Sequence, residues 1–190
     1  MYTGIRAQDE YLISTQRLAV ALRSQAQAQA AVDQAVQIAA KSPFTTQQVV
    51  STMVQLAPVT QIAGKGLSEL TGLALDAAAA TGKSGDEMMV LVNNIQRAAL
   101  GSKEAMSYLS ETTGGMFALN PEAMELRGES PAKATVAALQ QFKNASAIMA
   151  TTPTGAISTL TDSMQILSRT MVEGKVTDQF SGAALTMAEF

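Results

Sequence analysis

The stretch from Lys41 to Gly101 constrains the fold most strongly, because helix starts and helix stops alternate along it. Thr45 is followed three residues later by Gln48, and Ser84 is followed three residues later by Glu87. Both pairs have the capping-box spacing of a helix N-terminus. Glycine comes directly after periodic segments, where a left-handed helix C-cap favours it, at Gly64, Gly82 and Gly101. This alternation predicts short helices that pack on one another.

The composition predicts the same fold class for the whole chain. Apolar residues make up 47% of the 190 residues, but aromatic residues only 4%, and alanine and 11 methionines dominate. These residues favour helix, and the β-branched and aromatic runs typical of strands are scarce. We therefore expect an all-α protein of seven to eight helices in an irregular bundle. Charged residues are 15%, below the usual quarter, which favours a surface that contacts other proteins.

Several classes of functional site lack the residues they need. The chain contains no cysteine and no histidine, so thiolate nucleophiles, sulfur-ligated metals, His-based triads and imidazole general bases are excluded. The net charge is −3 and lysines and arginines do not cluster, which argues against sequence-specific nucleic-acid binding. No apolar run is long enough to cross a bilayer. We therefore predict no enzyme activity, no catalytic, cofactor-binding or metal-binding residues, no cofactor and no stable transmembrane segment.

Residues 1–40 form the first predicted unit, with one long helix over 9–40 because no proline or glycine interrupts it. A seam at alternating steps of four and three follows this helix: Leu18, Leu22, Gln25, Gln29, Val32, Val36 and Ala39. This spacing is compatible with a surface helix that has a stripe of small residues. It is also compatible with an inter-chain coiled coil in which glutamine layers set the register.

Residues 41–175 form the predicted main domain, and 176–190 a short C-terminal helix or tail. Pro43 ends the first helix, and Pro58 should split a helix over 47–63. Further helices are predicted over 68–81, 85–100, 103–111, 131–150, 156–173 and 178–190, with a loop containing one or two helical turns over 116–130. Gly72 inside the 68–81 helix is consistent with the close approach of a neighbour.

Three local patterns invite a functional interpretation but fit structural roles better. Residues 77–84, A-A-A-A-T-G-K-S, resemble a loose phosphate-binding loop, yet four alanines prolong a helix where the motif needs a glycine-rich loop after a strand. Asp86 and Glu87 would be favoured by the dipole in the first turn of a helix. Methionines recur at core spacing, which suits either a core or an adaptable partner surface: Met88, Met89, Met106, Met116, Met124, Met149, Met164 and Met171.

Over roughly residues 20–175 the chain resembles the tail tape measure proteins of long-tailed bacteriophages. The resemblance is carried by Ser42-Pro43-Phe44, by the helix over 73–82 that ends in A-A-A-T-G, and by Leu100-Gly101-Ser102. Residues 152–163 are similar to the family's T-x-x-G-A-L-S-N-L-K-D-S element. The chain departs from the family at 110–119, where a G-hydrophobic-P element is missing, and it lacks the long repetitive helical region. We therefore expect a single helical domain of this family, or a short or processed form.

The resemblance implies a structural role in the virion. Family members lie inside the tail tube, help to set tail length during assembly in the bacterial cytoplasm, and leave ahead of the DNA at ejection. They associate as homo-trimers or homo-hexamers and contact tail tube, distal tail and hub or baseplate proteins. The alternative is a cytoplasmic α-helical adaptor or assembly chaperone unrelated to tails.

Overall fold

The computed structural model describes residues 12–13, 15–117 and 119–151, and the regular structure in them is helical throughout. The predicted all-α fold is confirmed. Residues 15–22 are helical, and the helices that follow are α1 (Gln25–Ala39), α2 (Thr46–Leu56), α3 (Thr60–Ala63), α4 (Leu67–Ala80), α5 (Gly85–Ala99), α6 (Lys103–Thr112), α7 (Pro121–Arg127), α8 (Pro131–Gln140) and α9 (Ala145–Ala150). The helices predicted over 156–173 and 178–190 lie outside the described residues.

Helix α4 occupies the centre of the bundle. Every residue from 73 to 79 is buried, as are Leu70 and Thr71, and α1, α2, α5, α8 and α9 all pack against this one helix. A helix that is buried on every side over nearly two turns is a core helix. Four of the seven residues between 73 and 79 are alanines, and their short side chains let the surrounding helices pack close to the α4 backbone.

The prediction of one continuous helix over 9–40 is wrong, because the helix is interrupted at Arg23. The helical segment 15–22 ends there, because Arg23 adopts a left-handed conformation with φ 54°. The backbone N–H of Ser24 donates to the carbonyl of Ala19 at 3.2 Å, as in a Schellman C-cap. The Ser24 hydroxyl then accepts from the backbone N–H of Gln27 at 3.3 Å and begins α1.

The predicted heptad seam is therefore split between two helices, and its glutamines face solvent. Gln25 and Gln29 are exposed. The face of α1 that packs inside the chain consists of Ala28, Ala31, Val32, Ala35 and Ala39, and it lies mainly against α2. The small-residue stripe is thus intramolecular, while pairing of the glutamine face with a second chain stays a prediction.

Helix boundaries in the Lys41 to Gly101 stretch are largely those expected. The Thr45 capping box is present, with the Gln48 amide oxygen accepting from the Thr45 N–H at 2.9 Å and the Thr45 hydroxyl accepting from the Gln48 N–H at 3.3 Å. Pro58 lies in a 3-10 turn, Ala57–Val59, that separates α2 from α3 as predicted. The capping box at Ser84 is wrong: Ser84 holds the N-cap position, but its side chain accepts no capping bond.

The single helix predicted over 131–150 is interrupted. Helix α8 ends at Gln140, four turn residues follow, and α9 begins after Asn144, whose φ is 72°. Within this turn the Phe142 ring is buried and stacks on Phe117, with ring centroids 5.8 Å apart. The helix is therefore interrupted within a segment that contains no glycine or proline.

Gly72 does not serve the close approach that its position suggests. A Cβ built on Gly72 meets no heavy atom within 4 Å, and the backbone there is ordinary helix. Gly72→Ala should therefore raise the free energy of unfolding by about 0.5–1 kcal/mol, because alanine loses less conformational entropy in a helix. Urea denaturation followed by circular dichroism measures the change. A loss of stability would mean that a neighbour does need the space.

Candidate functional site

The segment with the phosphate-loop pattern is a helix C-terminus. Residues 77–80 belong to α4, and Gly82 closes the helix with φ 66°. The backbone N–H groups of Gly82 and Lys83 donate to the carbonyls of Ala79 and Ala78, at 3.0 and 2.8 Å. Amides bound in this way cannot point at a phosphate. The half-buried Lys83 side chain places its ammonium 3.7 Å from a carboxylate oxygen of the exposed Glu87, four residues further along the chain.

The acidic side chains do not assemble into a metal-binding group in the part of the chain that the structure describes. Asp86 and Glu87 are both exposed in the first turn of α5. No group of three or more Asp or Glu side chains with a geometry suited to a metal ion occurs among residues 12–13, 15–117 and 119–151. Glu104 lies at the start of α6. Hydrogen bonds to its carboxylate from its own backbone N–H and from the Ser102 hydroxyl hold the pKa of Glu104 below its usual value.

The methionines divide between core and surface. Met88, Met106 and Met124 are buried, and Met89 packs against the core. Met116 and Met149 are exposed. Met164 and Met171 lie outside the described residues. The core interpretation therefore holds for four of the named positions, and a partner surface at the two exposed ones stays a prediction.

Polar groups from distant parts of the chain converge at Asp76. This residue lies in α4 and is only 7% exposed. One carboxylate oxygen accepts from the backbone N–H of Asn144 at 2.8 Å, and the other accepts from the backbone N–H of Ser146 at 2.9 Å. The Ser146 hydroxyl donates to that second oxygen as well. The carboxylate thus binds the N-terminus of α9, where unpaired backbone N–H groups need acceptors.

A groove of about 350 Å³ adjoins this carboxylate, between α1, α4 and α9. Its walls carry amide, hydroxyl and lysine side chains: Gln34, Gln37, Lys41, Ser42, Ser68 and Ser146. The Ser68 hydroxyl donates to the Gln34 amide oxygen across the groove. Both the carboxylate and this hydroxyl are therefore engaged in bonds that join helices.

This arrangement is suited to holding helices together. Proton transfer needs a carboxylate that is free to bind a substrate proton, and each Asp76 oxygen already accepts from α9. The sequence analysis did not identify Asp76 as a site residue, and an isolated Asp inside an apolar helix was the only signal available. A carboxylate on the buried side of a core helix requires donors from elsewhere in the chain, but the sequence does not say which.

No helix among the described residues is both long and apolar enough to cross a bilayer. No protein-family model matches the chain, and no significant match is found among curated proteins or solved structures.

Proposed function

We propose that this chain is a non-enzymatic structural component of a bacteriophage tail, similar to the tape measure proteins. In this role it lies in the tail tube or at the tail tip and contributes to tail assembly, length determination and genome ejection. It is assembled in the bacterial cytoplasm as a homo-trimer or homo-hexamer. Its partners are tail tube, distal tail and hub or baseplate proteins.

The observation that carries this proposal is where the resembling motifs lie in the fold. Ser42-Pro43-Phe44 lies in the turn between α1 and α2, with Ser42 and Phe44 buried. The A-A-A-T-G element ends α4, and Leu100-Gly101-Ser102 joins α5 to α6. All three motifs thus fall at helix boundaries, which supports the proposal. The fourth, over 152–163, lies outside the described residues.

The chemistry of the described surface also favours assembly with other chains. Several large apolar side chains are exposed, among them Val20 at 79%, Leu126 at 89% and Ile148 at 68%. Side chains of this kind would contribute hydrophobic stabilisation if a second chain covered them. The low content of charged residues, 15%, reduces the desolvation cost of such contacts.

Fractionation of phage particles tests the role directly. Particles are purified on a density gradient from lysates of the bacterium that produces the chain, and the chain is detected by antibody before and after ejection is triggered. A tail component should co-sediment with intact particles and decrease in particles that have released their DNA. Recovery of the chain only in the soluble host fraction would contradict the proposal and favour the adaptor or chaperone.

The glutamine face of α1 offers a test of oligomer order. Gln25→Leu together with Gln29→Leu should change the mass measured by light scattering from three or six times the 19.8 kDa chain mass, because polar layers set the register of helical seams. Ala26→Leu with Ala30→Leu adds apolar side chains at exposed positions beside the seam and should leave the mass unchanged. An unchanged mass in the glutamine variant would show that the seam does not set the order.

A further inference from the structure

Helix α9 lies against the central helix α4 without burying any of its own residues. Ile148 is 68% exposed and Met149 is 38% exposed, while Ala145 packs against the core from a partly buried position. A helix of six residues is far too short to be stable alone in water. Apolar burial therefore explains little of why α9 keeps its position.

The Asp76 carboxylate supplies the missing attachment. It accepts the N–H groups of Asn144 and Ser146 and the Ser146 hydroxyl, and hydrogen bonds to an ionised acceptor are about twice as strong as neutral ones. The dependence is mutual. Without these donors the carboxylate would be buried and unpaired, and without the carboxylate the first N–H groups of α9 would lose their acceptor.

The local sequence favours a different conformation of this segment. Residues 132–150 contain no glycine and no proline, and they predict a helix continuous with α8. The observed turn places Asn144 at φ 72°, a region that residues other than glycine seldom occupy and that asparagine tolerates better than most.

The backbone hydrogen bonds of this turn already resemble those of a helix. The N–H of Phe142 donates to the Leu139 carbonyl at 3.1 Å, and the N–H of Ala145 donates to the Phe142 carbonyl at 3.0 Å. These bonds span three residues, so extending each by one residue would give the α-helical pattern. Conversion to continuous helix therefore requires rewinding of a single turn.

We propose that Asp76 is the latch of a two-state element. In the closed state, which the structure shows, the carboxylate holds α9 folded back on α4. In the open state, residues 131–150 form one helix, and Ala150 lies about 15 Å beyond Gln140 along the α8 axis, at 1.5 Å per residue. The groove beside Asp76 lets water reach the released carboxylate. The latch depends only on the described contacts and is independent of the tail role.

Spin-label distances measured by electron paramagnetic resonance test the latch. The chain has no cysteine, so Ala80→Cys and Ala147→Cys, both at exposed positions, accept one label each. Asp76→Asn in the full chain should add a population at longer distance. Amide exchange at Asn144 and Ser146 should become faster by at least about ten-fold, because both N–H groups lose a charged acceptor.

A matched control and a reverse variant sharpen the test. Glu69→Gln makes the same chemical change at an exposed carboxylate on α4 and should alter neither readout. Asn144→Gly removes the penalty of the left-handed conformation and should reduce the long-distance population. Unchanged distances in Asp76→Asn would overturn the proposal, as would an exchange increase spread evenly over α1 to α8.

A milder variant covers the case in which Asp76→Asn does not fold. Ser146→Ala removes only the hydroxyl donor to Asp76 and leaves both backbone donors in place. It should shift distances and exchange in the same direction as Asp76→Asn, by a smaller amount. No shift at all in Ser146→Ala, with Asp76→Asn unfolded, would equally overturn the proposal.

Discussion

Replacement of Phe117 by alanine should lower the free energy of unfolding by about 3–5 kcal/mol, because it removes a large ring from a site that cannot collapse. The Phe117 side chain is fully buried and is stacked on the Phe142 ring with 21° between the ring planes. Its backbone N–H donates to the Thr113 hydroxyl at 3.0 Å, which fixes the loop that carries it. Urea denaturation followed by circular dichroism measures the loss.

The neighbouring residue provides the control for Phe117. Met116 is 47% exposed, so Met116→Ala should change stability by less than about 0.5 kcal/mol, as surface substitutions usually do. If Phe117→Ala destabilises no more than Met116→Ala, the ring does not belong to the core. Phe117→Leu should fall between the two, because leucine fills part of the space.

The second large effect is expected at the centre of α4. Ala77 is 0% exposed and lies in the helix that five others surround, so Ala77→Leu should destabilise by about 1–3 kcal/mol through overpacking. Ala80→Leu places the same side chain at an exposed position of the same helix and should be nearly neutral. Comparison of the two denaturation midpoints measures the difference. Equal midpoints would mean that the bundle has room at its axis.

Most helix boundaries were predicted from local sequence signals. These predictions succeeded where the residue that gives the signal contacts only residues a few positions away. The Thr45 capping box, the Pro58 split and the left-handed glycines at 64, 82 and 101 depend on neighbouring residues alone. The break at Arg23 also had a local signal that the prediction of one long helix missed, because Ser24 and Gln27 have the capping-box spacing and the Ser24 hydroxyl does accept from the Gln27 N–H. Ser84 was correctly predicted to be an N-cap residue, but the predicted hydrogen bond to its side chain is not formed.

The polar cluster could not have been predicted from the sequence. Its bonds join Asp76 to residues 68 and 70 positions further along the chain. Local propensity favours continuous helix through Asn144, and the contact with Asp76 overrides it. The phosphate-loop and acidic-pair patterns were assigned structural roles from the sequence, and the geometry at Lys83 and in the first turn of α5 agrees with those roles.

The position of α4 in the middle of the chain has a consequence for synthesis on the ribosome. Its covering helices come from both sides of it in the sequence, with α1 and α2 made earlier and α5, α8 and α9 made later. A nascent chain that has produced only α1 to α6 still leaves bare the side of α4 that α8 will cover. Complete burial of α4 therefore requires residues up to Gln140, so the bundle can close only after α8 has been synthesised.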